Sequence, residues 1–247
     1  MAVQEIKPYS QEGSKHDQVE AMFDNIAPSY DNLNHTLALG IDKWWRKTAV
    51  DYIRKHCSAT PLKIMDVATG TGDLAIWAAK RLDTESVIGI DISDGMMRVG
   101  QEKVKAEHLE SIIQFRNEDC SKLSFKDEEF DVVMSAFAIR NFENIDECLR
   151  EMVRVTKSGG DFVIIDLCAP HNFPMKQIFW VYNKWIMPIV GTFISHDRKA
   201  CEYLPQTMKE VPQGKDMAQI FEKAGYVQVN YKHLAFGMCC MYTGKRP

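Results

Sequence analysis

The sequence has no Cys-x-x-Cys pair, no basic arm and no apolar run at its start, and each absence excludes a class of protein. The cysteines at 57, 120, 148, 168, 201, 239 and 240 are an odd set without paired or finger spacing. That argues against a disulfide framework and against a zinc centre, so they read as reduced, small apolar side chains and no metal is expected. Lys and Arg number 30 against 34 Asp and Glu, a formal net charge of -4, and nothing resembles an arm that would trade counterions for phosphates. Nucleic acid is not an expected partner. The opening MAVQEIKPYSQEGSKHD is polar, without an h-region or a small-residue cleavage site, which leads us to expect a cytoplasmic protein. Internal repeats, low-complexity tracts and linkers are also missing.

What is present is a core. A chain of 247 residues with 45% hydrophobic residues can bury one sizeable interior, and we expect a single domain, with residues 1–60 as a helical appendage to residues 61–247. From Leu62 on, short apolar runs alternate with helix-period segments, the pattern of a parallel sheet covered on both faces. Strands are expected at Lys63–Ala68, Ser86–Ile90, Ile112–Asn117, Phe130–Ala136 and Asp161–Leu167. Between them, Leu74, Trp77 and Ala78 share one helical face, Ser93 caps a second helix, and Asn144 opens a third over Ile145–Val155 that Gly159–Gly160 should stop. A further helix over Gly214–Ala224 ends at Gly225, and Val227–Ala235 with Met238–Thr243 then reads as an antiparallel hairpin. Five strands and the hairpin make a doubly wound α/β sheet of seven strands, mostly parallel. Ahead of it, Val19, Met22, Phe23 and Ile26 lie at helix spacing before Pro28, and a second helix covers Trp44 to Ile53.

The run Ile64-Met65-Asp66-Val67-Ala68-Thr69-Gly70-Thr71-Gly72-Asp73-Leu74 takes a strand into glycines that open a helix, so a ligand can approach bare backbone. An ordinary strand-to-helix turn has the same look. Two acids sharpen the nucleotide reading: Asp91 ends the second strand, where a carboxylate can accept both ribose hydroxyls, and Asp119 with Cys120 follows the third, beside the place for a base. Gly70-x-Gly72-x-x-Ala75 also fits the loose fingerprint of dinucleotide dehydrogenases. Asp66 at the loop's mouth would repel a pyrophosphate yet pair with an amino-acid ammonium group. Asp119 and the closing hairpin also turn the reading away from a dehydrogenase.

The chain resembles the C-methyltransferases of menaquinone and ubiquinone biosynthesis from about Glu20 to Tyr242. The likeness is carried by Met22-Phe23-Asp24-Asn25-Ile26-Ala27-Pro28-Ser29-Tyr30-Asp31 with Asn34, by Gly40 and Trp44-Trp45, and by the glycine loop. It continues through Phe130-Asp131, Phe137-Ala138-Ile139-Arg140-Asn141 and Arg154-Val155-Thr156-Lys157-Ser158-Gly159-Gly160. The blocks at Tyr30-Asp31 and Phe137–Asn141 are the specific ones. The resemblance implies a Rossmann-like class I methyltransferase that uses S-adenosylmethionine, held at Gly70, Thr71, Gly72, Asp91, Asp119 and Cys120, with a polyprenylated quinol as acceptor. Demethylmenaquinol is the first substrate it suggests; another lipophilic phenol, a sterol or a benzoquinol stays open, as does a non-catalytic scaffold that kept the fold. The family commonly has glycine at Thr69 and Ala138, proline at Ser158, serine at Ala136 and glutamate at Asp166. Loss of the hydroxyl at Ala136 leaves Ser135 as its expected substitute.

Methyl transfer to carbon needs an aligned, dry pocket and a group that stabilises a phenolate. Arg140 is the candidate for that charge, since a guanidinium stays protonated; a structural pair with a loop carboxylate is the alternative. Asp166 would accept a proton if an apolar setting raised its pKa, and Tyr30 and Asp31 could close over the cofactor or merely pack. Phe173–Ile194 is apolar, yet Lys176, Asn183, Lys184 and Pro188 spoil it as a span. It can line a tunnel for an isoprenoid tail, rest peripherally on the inner face of a membrane, pack in the core or join a homodimer. His196-Asp197 lacks a third ligand and reads as a polar loop.

Overall fold

The computed structural model describes residues 2–195 and 197–247, so His196 lies outside the described residues. Four helices precede the sheet: α1 (Ala2–Glu5), α2 (Lys15–Ile26), α3 (Tyr30–Leu37) and α4 (Ile41–His56). Then follow β1 (Leu62–Val67), α5 (Asp73–Arg81), β2 (Thr84–Asp91), α6 (Asp94–Ala106), β3 (Ile113–Asn117), β4 (Phe130–Ala136), α7 (Ile145–Val155) and β5 (Thr156–Leu167). An all-helical insertion comes next: α8 (Met175–Val181), a π-turn over Tyr182–Ile186, α9 (Met187–Ser195) and α10 (Arg198–Glu210). The chain closes with α11 (Lys215–Ala224), β6 (Val227–Leu234) and β7 (Cys239–Lys245).

The seven strands lie in the order β3-β2-β1-β4-β5-β7-β6. Pairs from β3 to β5 are parallel; β7 runs antiparallel to both β5 and β6, as the expected hairpin requires. Strand order reverses between β1 and β4, and in sheets of this type ligands sit above the carboxyl ends at that switch.

Alternation along each strand feeds two cores. Met65, Val67, Val133, Phe162, Ile164 and Tyr242 face one side, where α7 and α11 cover them. Ile64, Val132, Met134, Val163, Ile165 and Met241 face the other, under α4 and α5. Burial on both faces is why these strands read as unbroken apolar runs. The N-terminal helices join the same interiors, since Val3 lies in the first core and Trp45, Ala49, Val50 and Ile53 in the second.

Several boundaries differ from expectation by a few residues, and two have a clear physical reason. β1 stops one residue early because Ala68 takes a left-handed φ of 51° and leaves the ladder. Gly159–Gly160 does not end α7; the helix ends at Val155 and both glycines lie inside a longer β5. Pairing passes from Phe130–Thr156 to Val132–Asp161, a bulge around Gly159 at φ 74°. At Gly160 a Cβ would come 2.8 Å from the Lys157 carbonyl oxygen and 2.9 Å from that of Asp131, so only glycine fits that bulge.

Candidate active site

Above the switch, the chain leaves β1 through three left-handed residues, Ala68, Gly70 and Gly72, and turns into α5. Thr69 between them keeps ordinary backbone angles and donates its hydroxyl to Asp66 Oδ2 at 2.7 Å, so this position does not need the family's glycine. Asp91 ties the loop to the end of β2: its Oδ2 accepts the Gly70 N–H at 2.7 Å and its Oδ1 the Ser93 N–H at 2.9 Å. Burial pushes the Asp91 carboxyl up to about 6, against the pull of those two amides.

Gly70, Asp91, Asp119 and Cys120 line one cavity together with Met96 and Phe137. His16 and Phe23 of α2 reach over it, with the His16 Nε2 3.5 Å from Asp119 Oδ2. Three other expected cofactor positions lie elsewhere. Thr71 donates its hydroxyl to Asp31 Oδ1 at 2.6 Å, and Lys103 ties both to Asp73. Gly72 is the residue before α5, where a Cβ would strike the Phe115 ring at 2.7 Å. Ser135, the expected substitute for the hydroxyl missing at Ala136, is buried, donates its hydroxyl to the Val67 carbonyl at 2.7 Å, and is not among the residues that line the cavity, while Ala136 is. Asp31, held at 2.7 Å by Lys103, braces the glycine loop and does not line the cavity.

Beside this cavity a smaller pocket is bounded by Tyr30, Arg46, Asp66 and Thr71. Asp66 is buried, and desolvation raises it to about 7, with the Thr69 hydroxyl opposing. Among the described residues no cation pairs with it. A desolvated carboxylate beside the Arg46 guanidinium suits the ammonium and carboxylate of an amino-acid end, and Asp91 suits a ribose. The donor set thus fits S-adenosylmethionine.

A second, apolar cavity of about 320 Å³ lies past Tyr30 and Phe137, which line both chambers. Trp45, Tyr182, Met208 and Arg140 form its walls, and Leu39 and Ile178 its exposed rim. Arg140 is buried; its Nη1 donates to Asp166 Oδ1 and to the Phe137 carbonyl, each at 2.5 Å. Its Nε is also buried and has no partner among the described residues. Beyond the guanidinium, Asp166 accepts the Leu167 N–H at 2.7 Å and the Arg140 N–H at 3.3 Å, so three donors surround its carboxylate. Burial raises the Tyr30 phenol, with Asn34 pulling the other way, which keeps it a neutral donor.

The insertion supplies the outer wall. Ile178, Phe179, Tyr182 and Met187 turn inward, while Trp180, Trp185, Ile189 and Phe193 face out, Phe193 at 82% exposure. No helix among the described residues is long and apolar enough to cross a membrane. Asp197 caps α10 through the Ala200 N–H at 3.0 Å and accepts the Tyr9 hydroxyl at 2.5 Å. Asp119, Cys120 and Cys148 bring ligand atoms within 4.8 Å of one another, but burial lifts the Cys120 thiol well above its ordinary range, which opposes metal binding as thiolate. Sequence reasoning missed Arg46 and gave Trp45 and Tyr182 no individual role, although one lies in a block that carries the resemblance and the other in the segment expected to line a tunnel. Helix spacing does not separate a cavity wall from a core.

The sequence profile described as the ubiE/COQ5 methyltransferase family matches residues 11–246. A demethylmenaquinone methyltransferase from Bacteroides fragilis is 52% identical over 243 residues, covering 98% of each chain. One of the same name from Porphyromonas gingivalis is 40% identical over 242 residues, again covering 98% of each. Among solved structures, a SAM dependent methyltransferase from Aquifex aeolicus aligns with TM-score 0.57 at 18% identity, over 79% of this chain and 88% of that one, which shows the fold.

Proposed function

The chain belongs to the ubiE/COQ5 methyltransferase family, and from that premise we propose that it methylates a ring carbon of a polyprenylated quinol, demethylmenaquinol first. The observation that carries this reading is the junction of two chambers at Tyr30 and Phe137, one rimmed by carboxylates and one apolar with a single buried guanidinium.

When bound, S-adenosylmethionine supplies a methyl group on a positively charged sulfur. Asp91 would hold the ribose hydroxyls, Asp66 the ammonium group, and Asp119 with the Cys120 backbone the adenine edge. Arg140 lines the apolar chamber, and its guanidinium, fixed before the reaction, would stabilise the phenolate formed when the quinol hydroxyl loses its proton. Asp166 keeps Arg140 in that pose. Tyr30 and Phe137 orient the ring and, with Trp45, exclude water, and alignment supplies most of the acceleration.

The isoprenoid tail leaves past Leu39 and Ile178 toward the outward face of the insertion. Between residues 173 and 195 there is no Asp or Glu, and Lys184 Nζ lies 4.6 Å from the Trp180 ring centre and 5.4 Å from that of Trp185. Aromatic and basic groups of this kind suit the headgroup zone of an anionic lipid surface, and we assign the face to peripheral membrane contact.

The deciding experiment incubates the purified protein with methyl-labelled cofactor and, in parallel, demethylmenaquinol, a polyprenyl benzoquinol, a tail-less phenol and a sterol. Label should enter the naphthoquinol fastest. Equal or faster labelling of the phenol or sterol, or cofactor binding without turnover of any quinol, defeats the reading.

A further inference from the structure

Lys15, in the first turn of α2, is the fully buried lysine among the described residues. Its ammonium donates to the Val3 carbonyl at 2.8 Å and to the Arg140 carbonyl at 3.0 Å. Its own backbone N–H donates to the Glu143 carboxylate at 2.7 Å. A buried ammonium is unfavourable unless its donors are used, and here one is spent on α1 and one on the loop that carries Arg140.

The peptide units flanking Arg140 are therefore gripped from both sides. Asp166 takes its N–H at 3.3 Å and Lys15 its C=O at 3.0 Å, while the side chain is tied to Asp166 and to Phe137. The grip matters because the Arg140 loop is a single 3-10 turn, Ile139–Asn141, outside the sheet ladder, with α1 and α10 the helices packed against it. Asn141 of the same turn lines the cofactor cavity, and Arg140 lines the apolar one.

We propose that Lys15 is a positioning residue for methyl transfer, holding the Arg140 carbonyl so that the guanidinium points at the acceptor ring. This rests on the role given to Arg140 above. The charged groups around the ammonium are Glu143, which favours it, and Arg140, which opposes it; desolvation outweighs both and lowers the lysine to about 8. A lysine whose native pKa is lowered gives up its donors as pH rises through that value, and the grip on Arg140 loosens with it.

Two variants separate positioning from simple anchoring. Lys15→Met removes the donors and keeps the bulk; Val3→Ala trims the core beside Lys15 and leaves both carbonyl bonds in place. The expected result is a ten- to hundredfold fall in kcat for Lys15→Met, with cofactor Kd and quinol KM within threefold and the variant folded by circular dichroism. Val3→Ala should lower the denaturant midpoint and hold kcat within threefold. Wild type should lose kcat above about pH 8, a limb absent in Lys15→Met. Lys15→Gln, which keeps one neutral donor, should fall between and serves where Lys15→Met fails to fold. Equal losses in Val3→Ala and in Lys15→Met, or an unchanged kcat in either Lys15 substitution, overturn the proposal. A wild type that turns over no quinol instead defeats the function from which it starts.

Discussion

Arg140 and Asp166 form a closed pair beside the apolar cavity: the guanidinium lies 2.5 Å from one carboxylate oxygen, and the other accepts the arginine's own amide at 3.3 Å. Both are buried. Removing one partner strands the other's charge, which costs roughly 3–5 kcal/mol in interiors. Asp166→Ala should therefore lower the denaturant midpoint strongly and cut kcat by about two orders of magnitude. Arg140→Lys keeps the charge but loses the fork, and its fold should survive better than its turnover. Chemical denaturation beside steady-state kinetics tests both; an Asp166→Ala protein with wild-type kcat would show that the pair is only structural.

The pocket carboxylates make cofactor affinity depend on pH. Asp66 is raised to about 7 and Asp91 to about 6, both chiefly by desolvation. A carboxyl whose native pKa exceeds its unfolded value binds more protons when folded, so the free protein should lose stability as pH rises from about 4 to about 7. Binding an ammonium favours the ionised Asp66. Affinity should then climb between pH 5.5 and 7.5, and binding at pH 6.5 should release protons. Calorimetry in two buffers of different ionisation enthalpy reads that release directly, and proton uptake would be the contrary outcome.

Much of the fold was visible because strands buried on both faces announce themselves: Ile64, Met65 and Val67, and Val132 to Met134, are all apolar and buried, with Asp66 the one acid in the first run. The β5 start was hidden, since Gly159 and Gly160 look like a helix stop and serve as a bulge. That Asp91, Asp119 and Cys120 share one cavity was legible because they fall at or just past strand ends, where topology brings them together. Ser135 falls outside that cavity because neighbours on a strand point to opposite faces, and Ala136 takes the cavity side. Lys15 was invisible: it acts through Arg140, more than a hundred residues away, and no local spacing encodes that; Arg46 pairs locally with Asp42, which reads as an ordinary helix ion pair, while its reach to Asp73 comes only from the fold.

The outward face of the insertion should report on lipid. Trp180 and Trp185 are each 58% exposed and Phe193 82%. Each aromatic that enters the interface gains part of the roughly 1.5–3 kcal/mol of full burial. Trp180→Ala with Trp185→Ala and Phe193→Ala should weaken sedimentation with phosphatidylglycerol vesicles more than tenfold. The KM for quinol carried in vesicles should rise, with kcat on a short-tailed quinol in detergent unchanged. Vesicle binding that survives all three changes would exclude this face.

Gly100 of α6 tests how tightly the helix must press on the glycine loop. A Cβ there would stand 2.9 Å from the Phe115 ring and 3.1 Å from the Thr71 carbonyl carbon. The ring can swing aside, but Thr71 is loop backbone, next to Gly70 and the amide bonded to Asp91. Gly100→Ala should thus displace the loop, with an overpacking cost of about 1–3 kcal/mol and a loss of cofactor affinity near tenfold. Gly159→Ala is the matched comparison. It has open space around it but a φ of 74°, so it should cost only the roughly 1–2 kcal/mol of a left-handed side chain, far from the site. If loop placement governs binding, cofactor Kd moves in Gly100→Ala alone; a parallel shift in both would mean that affinity merely follows global stability.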